Sequence, residues 1–227
     1  MFVVLEGIDG AGKSTQTALV QTLAQRCGLR VTTLSFPRYG ANPFSQMIGK
    51  YLNGDFGAVN QVAPQLAALL YAGDRFVTRE ELLTACRTHD LVLCDRYAAS
   101  NLAHQAAKLA SPARGEFIAW LCAIEYDVYK LPLPELQIFL DMPVPFAQQL
   151  GLRKARRPYT ALQADIHERD AQYLQACREV YQQLVAAHDT EPWVTIACTT
   201  TDGHLRPPVE LSQELWQYIQ SHGPSTT

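Results

Sequence analysis

The tightest constraint on this chain lies in its first fifteen residues. Gly7-Ile8-Asp9-Gly10-Ala11-Gly12-Lys13-Ser14 fits the pattern G-x-x-x-x-G-K-[ST] without a mismatch. A short apolar run, Phe2–Glu6, precedes it and reads as a buried strand. A helical pattern over Lys13–Arg26 follows, with Leu19, Val20 and Leu23 on one face and Gly28 placed to end it. Glycines in such a turn let successive backbone N–H groups curl around phosphate oxygens, which a Cβ would obstruct. The helix N-terminus adds partial positive charge. Lys13 is spaced to reach β- and γ-phosphates, and Ser14 to offer its hydroxyl to Mg²⁺ or to a phosphate oxygen. The cradle as a whole spans Gly7, Ile8, Asp9, Gly10, Ala11, Gly12, Lys13, Ser14 and Thr15. A chance match in a Gly-containing turn is the competing reading, and the strand–loop–helix context argues against it. The motif therefore predicts binding of a nucleoside triphosphate such as ATP. Asp9 sits oddly in a loop built for anions: it either faces solvent or contacts a second substrate or its metal.

The rest of the chain alternates strand and helix signals. Strands are predicted at Val31–Ser35, Leu91–Cys94, Leu136–Leu140 and Trp193–Ala197. Helices are predicted at Phe44–Leu52, Val62–Arg87, Ser100–Leu109, Pro112–Tyr129, near Pro145–Leu152, over about Ala164–Ala187 and at Pro207–Ser221. This alternation predicts an α/β fold, a parallel sheet of about five strands with helices on both faces. No repeat, low-complexity run or linker divides the chain, so residues 1–222 read as one domain and 223–227 as a frayed tail. At 48% hydrophobic and 18% charged residues the chain is no disordered protein, and a net charge of −3 gives no support for nucleic-acid binding through bulk positive charge. No apolar run is long enough to span a bilayer, and Met1–Leu5 is no signal peptide, since Glu6 and Gly7 interrupt it. The six cysteines form no C-x-x-C pair and read as reduced, mostly buried thiols. The expected location is the cytoplasm.

A second chemical cluster follows the apolar strand Leu91–Cys94. Ligands of open α/β sheets bind at the carboxyl ends of the strands, where this strand delivers Asp95-Arg96-Tyr97. Asp95 is a candidate for positioning Mg²⁺ or its waters, and Arg96 for clamping phosphates between donor and acceptor; a structural ion pair capping a helix is the alternative. Arg outnumbers Lys fourteen to five, with Arg153, Lys154, Arg156 and Arg157 crowded together. The planar guanidinium suits bidentate binding of phosphate.

Four motifs in order carry a family resemblance: Glu6–Thr15 (E-G-x-D-G-A-G-K-S-T), Phe36–Gly40 (F-P-R-Y-G), Asp74-Arg75 in a long helix, and Asp95–Asn101 (D-R-Y-x-x-S-N). A late E-R-D, Glu168–Asp170, fits too. The chain resembles the thymidylate kinases. That resemblance implies a P-loop kinase with a mobile basic lid at about residues 151–162, transferring the γ-phosphoryl of ATP to dTMP with Mg²⁺. It places Asp9 and Arg96 beside the dTMP phosphate, with Arg38 or Tyr39 close by. It places Phe36 on thymine, Arg75 on its carbonyl edge, Tyr71 at its flank and Asn101 as a base reader. For Phe36, Tyr39 and Tyr71 ordinary core packing is the alternative. Gly10 stands where one group of the family has an arginine, so the chain resembles the group with a catalytic lid arginine, Arg153 or Arg157, with Arg156 as a further candidate. Ser14, Asp9, Asp95 and Glu168 are the candidate metal residues. His104 and His167 depart from the branch's pattern, which has aromatic residues there. The resemblance also implies a homodimer, through helices of the kind at Val62–Phe76 and Ala113–Tyr129. Two other readings stay open: a deoxynucleoside kinase and a non-catalytic P-loop binding protein. Arg38, Arg75 and Arg96 favour a monophosphate acceptor over the first, and intact Lys13, Ser14, Asp95 and Arg96 argue against the second.

Overall fold

The computed structural model describes residues 1–57, 61–152, 170–187 and 192–223. Five parallel strands, β1 (Phe2–Glu6), β2 (Val31–Ser35), β3 (Leu91–Asp95), β4 (Leu136–Asp141) and β5 (Trp193–Ala197), form one sheet in the order β2-β3-β1-β4-β5. The central strand β1 is fully buried, as its unbroken apolar run requires; Val4 pairs with Cys94 on one side and Gln137 on the other. The strand order reverses across β1, so its carboxyl end, and the loop leaving it, open into the crevice where ligands of such sheets sit.

The helices are α1 (Lys13–Arg26), α2 (Pro43–Asn53), α3 (Pro64–Thr88), α4 (Ala98–Ala106), α5 (Ser111–Cys122), α6 (Val144–Leu152), α7 (Ala171–Ala186) and α8 (Pro208–His222). Parallel crossovers are right-handed. The connection through α1 runs toward the β2 edge and the later ones run back, so α1 covers one face and α3 to α7 the other. The packing agrees: α1 lies against α8, while α4 lies against α3, α5 and α7. Phe2, Val4, Val92 and Cys94 pack with Leu34, Leu82 and Tyr97 on one side of the sheet.

Several boundaries differ from the sequence reading by one to three residues, as for α4, expected at Ser100–Leu109, and two larger differences have a visible local cause. The helix expected over Pro112–Tyr129 splits into α5 and a π-helical stretch, Ala123–Val128. The wider turn accompanies a charged residue in the interior: Glu125 is completely buried and accepts from Nε and Nη2 of Arg75 on α3. The helix expected from Ala164 begins at Ala171, where Asp170 Oδ1 accepts from the backbone N–H of Gln172 (2.9 Å) and Tyr173 (3.1 Å). An N-cap has non-helical backbone, so α7 cannot extend back through it. At the expected start of the tail, the Gly223 N–H closes α8 on the Ile219 carbonyl at 2.9 Å, while 224–227 lie outside the described residues. Among the six thiols Cys94, Cys177 and Cys198 are buried, but Cys86 and Cys122 are half-buried and Cys27 is exposed, so "mostly buried" overstates it.

Between β2 and α3, the chain is held by a buried carboxylate. Asp74 of α3 accepts from the backbone N–H of Arg38 (2.8 Å) and from Nδ2 of Asn42 (2.6 Å), and Asn42 caps α2 through Ser45. The preceding residue, Gly73, lets the Phe44 ring lie against α3: a Cβ there would meet the ring at 2.5 Å. Adjacent Asp74 and Arg75 thus serve different neighbours, one fixing the loop and the other facing Glu125.

Removing one member of a buried ion pair strands the other charge, at a cost of about 3–5 kcal/mol. Glu125→Leu is therefore expected to lower unfolding free energy by about 3 kcal/mol in urea, with the double variant Arg75→Met/Glu125→Leu recovering at least half of the loss. Additive losses in the double-mutant cycle would show that the pair is not coupled.

Candidate active site

The loop after β1 is held in shape by its own lysine. Lys13 Nζ donates to the carbonyls of Gly7 (3.0 Å) and Ile8 (2.8 Å). Ile8 and Ala11 are buried beneath the loop, while Ser14 and Thr15 are exposed at the start of α1. Gly10 is glycine for two reasons. Its φ is +84°, and a Cβ would lie 2.0 Å from the Ala147 carbonyl of α6. No arginine fits at position 10 while α6 holds this place.

At the end of β3 the backbone turns sharply. Arg96 has φ of +71°, a left-handed conformation that costs a non-glycine residue about 1–2 kcal/mol. Its neighbours over-determine it. The Arg96 N–H donates to the Leu5 carbonyl at 3.0 Å, and the next N–H, of Tyr97, to Glu6 Oε1 at 2.8 Å. The Glu6 carboxylate is completely buried and also accepts from the Ser100 N–H (3.2 Å), the Ser100 hydroxyl (2.6 Å) and the Tyr181 hydroxyl (2.9 Å). Strand β1 thereby grips the start of α4. The guanidinium that results faces the loop: Nη2 donates to Asp9 Oδ1 at 2.6 Å, and Nη1 to Ser100 Oγ at 2.8 Å and to the Gly7 carbonyl at 3.2 Å. Burial opposes the Arg96 charge, but the carboxylates of Asp9, Asp95 and Glu6 outweigh it and hold the pKa well above the ordinary value.

Beside this pair lies a cleft with about 570 Å³ of empty space, part of it open to solvent. Asp9, Phe36, Tyr39, Tyr71, Arg75, Arg96 and Asn101 all line it, so seven of the predicted residues come together. Phe36 is 4% exposed and packs on Tyr97 with ring centroids 5.9 Å apart; Tyr39 and Tyr71 pack against the Ile48–Tyr51–Leu52 cluster. Core packing and cavity lining are thus not alternatives for these rings. Asn101 Nδ2 donates to the Ala68 carbonyl and to Glu125 Oε1, each at 3.0 Å, which fixes which way its amide points. Its Oδ1 is buried without a partner. Burial opposes the charge of Arg75, yet Glu125 raises its pKa, so the cavity presents a permanent cation beside an unpartnered acceptor.

Arg38 is elsewhere: its Nη1 lies 3.0 Å from Glu81 and the residue does not line the cavity. Arg153, Arg156, Arg157, His167 and Glu168, with the expected lid from residue 153, lie outside the described residues; Gly151 and Leu152 end α6. The sequence reading missed Glu6, Ser100, Glu125, Tyr173 and Tyr181. Two of them carried a signal: Glu6, a carboxylate closing an otherwise apolar strand just before the loop, and Ser100, which stands in the quoted D-R-Y-x-x-S-N motif.

No three His, Cys, Asp or Glu side chains cluster as a metal site among the described residues. Mg²⁺ makes no such demand, since it keeps waters and takes one or two protein oxygens beside substrate phosphates. Two oxygen donors fit it: the exposed Ser14 hydroxyl and the half-buried Asp95 carboxylate, neither of which hydrogen-bonds through its side chain among the described residues. Asp9, by contrast, is engaged by Arg96.

A family model described as thymidylate kinase matches residues 5–202. Over 206 residues, 90% of this chain and 95% of the other, it is 34% identical to a thymidylate kinase of Mycobacterium tuberculosis. It is 31% identical over 227 residues to that of Deinococcus radiodurans, covering 98% of each chain. The solved thymidylate kinase structure from Candida albicans shares the fold, with a TM-score of 0.69 at 21% identity over 97% of this chain and 91% of that one. The matched segment contains the phosphate loop, the Asp9–Arg96 pair and the whole cavity lining, and the chain belongs to the thymidylate kinase family.

Proposed function

We propose that this protein transfers the γ-phosphoryl group of ATP to dTMP, giving dTDP and ADP. The observation that carries the choice of acceptor is the orphaned Asn101 Oδ1 beside Arg75. Thymine presents an N3–H donor flanked by carbonyls, which complements an acceptor next to a cation. Cytosine presents N3 as an acceptor, which would face Asn101 Oδ1 lone pair to lone pair. Because Nδ2 is committed to Ala68 and Glu125, the amide cannot flip to accommodate it. Phe36 and Tyr71 supply apolar walls for the ring.

Phosphoryl transfer asks mainly for position and charge stabilisation. The loop N–H groups and Lys13 hold the donor phosphates. Arg96 holds the acceptor phosphate, and Asp9 keeps that guanidinium aimed until the phosphate arrives. Ser14 and Asp95 would hold Mg²⁺, which when bound would supply charge neutralisation of the donor phosphates. Since Gly10 leaves no room for an arginine in the loop, we assign the second cation at the reacting phosphoryl to the lid, Arg153 or Arg157, with Arg156 as a further candidate. Residues 1–222 act as one domain in this reading. Tyr39 flanks the acceptor, Arg38 steadies its loop through Glu81, and Glu168 is a candidate for the metal.

ADP release from Mg-ATP should require dTMP, weaken with dUMP, and fall at least about a hundredfold with dCMP, which leaves a polar group unpaired. Turnover with thymidine would identify a nucleoside kinase, and acceptor-independent hydrolysis a different P-loop activity. Lys13→Ala and Arg96→Ala should each cut kcat/KM by on the order of 10²–10³ while the protein stays folded by circular dichroism. Replacing Arg153, Arg156 and Arg157 together should lower kcat far more than dTMP affinity; the reverse split would remove the lid assignment.

We further propose a cytoplasmic homodimer. No helix among the described residues is long and apolar enough to cross a membrane. Leu66, Phe76, Val77 and Val128 stand 62%, 46%, 49% and 62% exposed on α3 and the π-helical stretch, and Phe76 packs tilted against Tyr129 with ring centroids 4.7 Å apart. Sedimentation should give a mass near twice 25.3 kDa, and Val128→Asp should shift it toward the monomer. An unchanged monomer in the parent protein would sink this proposal.

A further inference from the structure

The Arg96 guanidinium has one neighbour that the proposed reaction does not use. His104 sits on α4 one turn beyond Ser100, and its Nε2 lies 3.2 Å from Arg96 Nη1. An arginine nitrogen only donates, so Nε2 must offer a lone pair. The other ring nitrogen, Nδ1, lies 3.2 Å from the Tyr173 hydroxyl. That hydroxyl spends its single proton on the His104 main-chain carbonyl at 2.9 Å, so its oxygen is left to accept from Nδ1–H. Both contacts agree on one form of the ring, neutral, with its proton on Nδ1.

We propose that His104 is a positioning residue for Arg96, working only as the neutral Nδ1–H tautomer, so that acceptor binding weakens when the ring takes a second proton. The use of acceptor binding as a readout rests on the function proposed above. Nη1 has two hydrogens, and three acceptors surround it: Ser100 Oγ at 2.8 Å, and the Gly7 carbonyl and His104 Nε2 at 3.2 Å each. Ser100 is locked by Glu6, which leaves the second hydrogen shared between the loop and His104. Protonation at Nε2 would replace an acceptor with a second cation facing Arg96, and so push the guanidinium off its aim.

The other groups around the ring do little to offset that charge among the described residues. From α7, burial raises the Tyr173 and Tyr181 hydroxyls well above their ordinary range and pushes the Cys177 thiol, 3.7 Å from Nδ1, up to about 12, so all three stay neutral. From the phosphate loop, Asp9 is committed to Arg96 Nη2, and from β1, Glu6 is filled by four donors. Asp95 stands beyond Arg96 at the end of β3. Along α4, Lys108 is turned to Tyr51 and Gln105, and burial pulls its pKa down to about 7, so it titrates in the same range without touching the ring.

The test uses the full-length protein. In ¹⁵N-histidine spectra of the ligand-free enzyme, the His104 signal, assigned by its loss in His104→Gln, should show the Nδ1–H tautomer; an Nε2–H tautomer overturns the proposal. His104→Phe should lower kcat/KM for dTMP about tenfold through KM, with KM for ATP unchanged. His104→Gln, whose Oε1 can still accept, should stay within about threefold of the parent at pH 8. Both dTMP ionisation (second phosphate pKa about 6) and Lys108 titrate in parent and variant alike, so the ratio of parent to His104→Gln isolates the imidazole. That ratio should fall about tenfold from pH 8 to pH 5.5. A flat ratio, or a parent that gains on acidification because an imidazolium binds the phosphate, overturns it. If His104→Phe does not fold, the tautomer and the glutamine ratio still decide. The expected tautomer in a protein that phosphorylates no monophosphate would leave the clamp standing and remove the functional reading instead.

Discussion

Everything at the catalytic edge depends on a bend of the backbone at Arg96. A left-handed arginine is uphill, and it stands only because Glu6 reaches across from the neighbouring strand to take the N–H groups on its far side. A carboxylate with no exposure is itself uphill unless filled, and four donors fill it. The hydrogen bonds between turn and acid offset both costs. The strained turn aims a guanidinium at the phosphate loop, and the buried acid that holds the turn also locks the Ser100 hydroxyl against that guanidinium. Strand, turn and helix are thereby one rigid unit before any nucleotide binds, which is the preorganisation that charge stabilisation in a reaction requires.

The same logic recurs in the cavity and outside it. Arg96 has Asp9, Arg75 has Glu125 and Arg38 has Glu81. Each cation is carried by an acid in the empty protein, and the depth of burial sorts their roles. The Arg75–Glu125 pair is almost wholly buried, so its acid is not readily exchanged for a ligand and its direction is fixed, as the proposed reading of a neutral base requires. The Arg96 and Asp9 side chains are 15% and 28% exposed, accessible enough for a phosphate to compete for the guanidinium. A rigid buried pair reads shape, whereas a half-open pair can hand over charge.

The fold was legible because its signals are local. The apolar run of β1, the glycine loop and the alternation that follows identify a parallel α/β sheet from neighbouring residues alone. Seven of the predicted site residues line one cavity: Asp9, Phe36, Tyr39 and Arg96 from loops at the carboxyl edge of the sheet, and Tyr71, Arg75 and Asn101 from α3 and α4 beside it. What stayed hidden is long-range. Glu6 meets Tyr181 across 175 positions and Arg75 meets Glu125 across 50, and no periodicity records such a pairing. The break of the predicted Pro112–Tyr129 helix has the same origin. Its residues favour helix throughout, and the partner that makes a wider turn useful at Glu125 lies on α3. Arg38 shows the converse: a plausible motif position whose side chain is claimed by a tertiary neighbour.

Gly10 ties the loop to the part of the chain that carries the remaining arginines. The Ala147 carbonyl occupies the space a side chain would need there, so the close approach of α6 and the absence of a loop arginine are one fact. Helix α6 also leads directly into Arg153, one residue past its end. The element that excludes a cation from the loop is therefore the one that delivers cations to the segment beyond it. A bulkier residue at position 10 would have to push α6 away, and so could not add its own charge without moving the origin of the others. The close approach of α6 thus excludes a side chain at position 10, which supports the proposal that the second cation comes from the segment after α6.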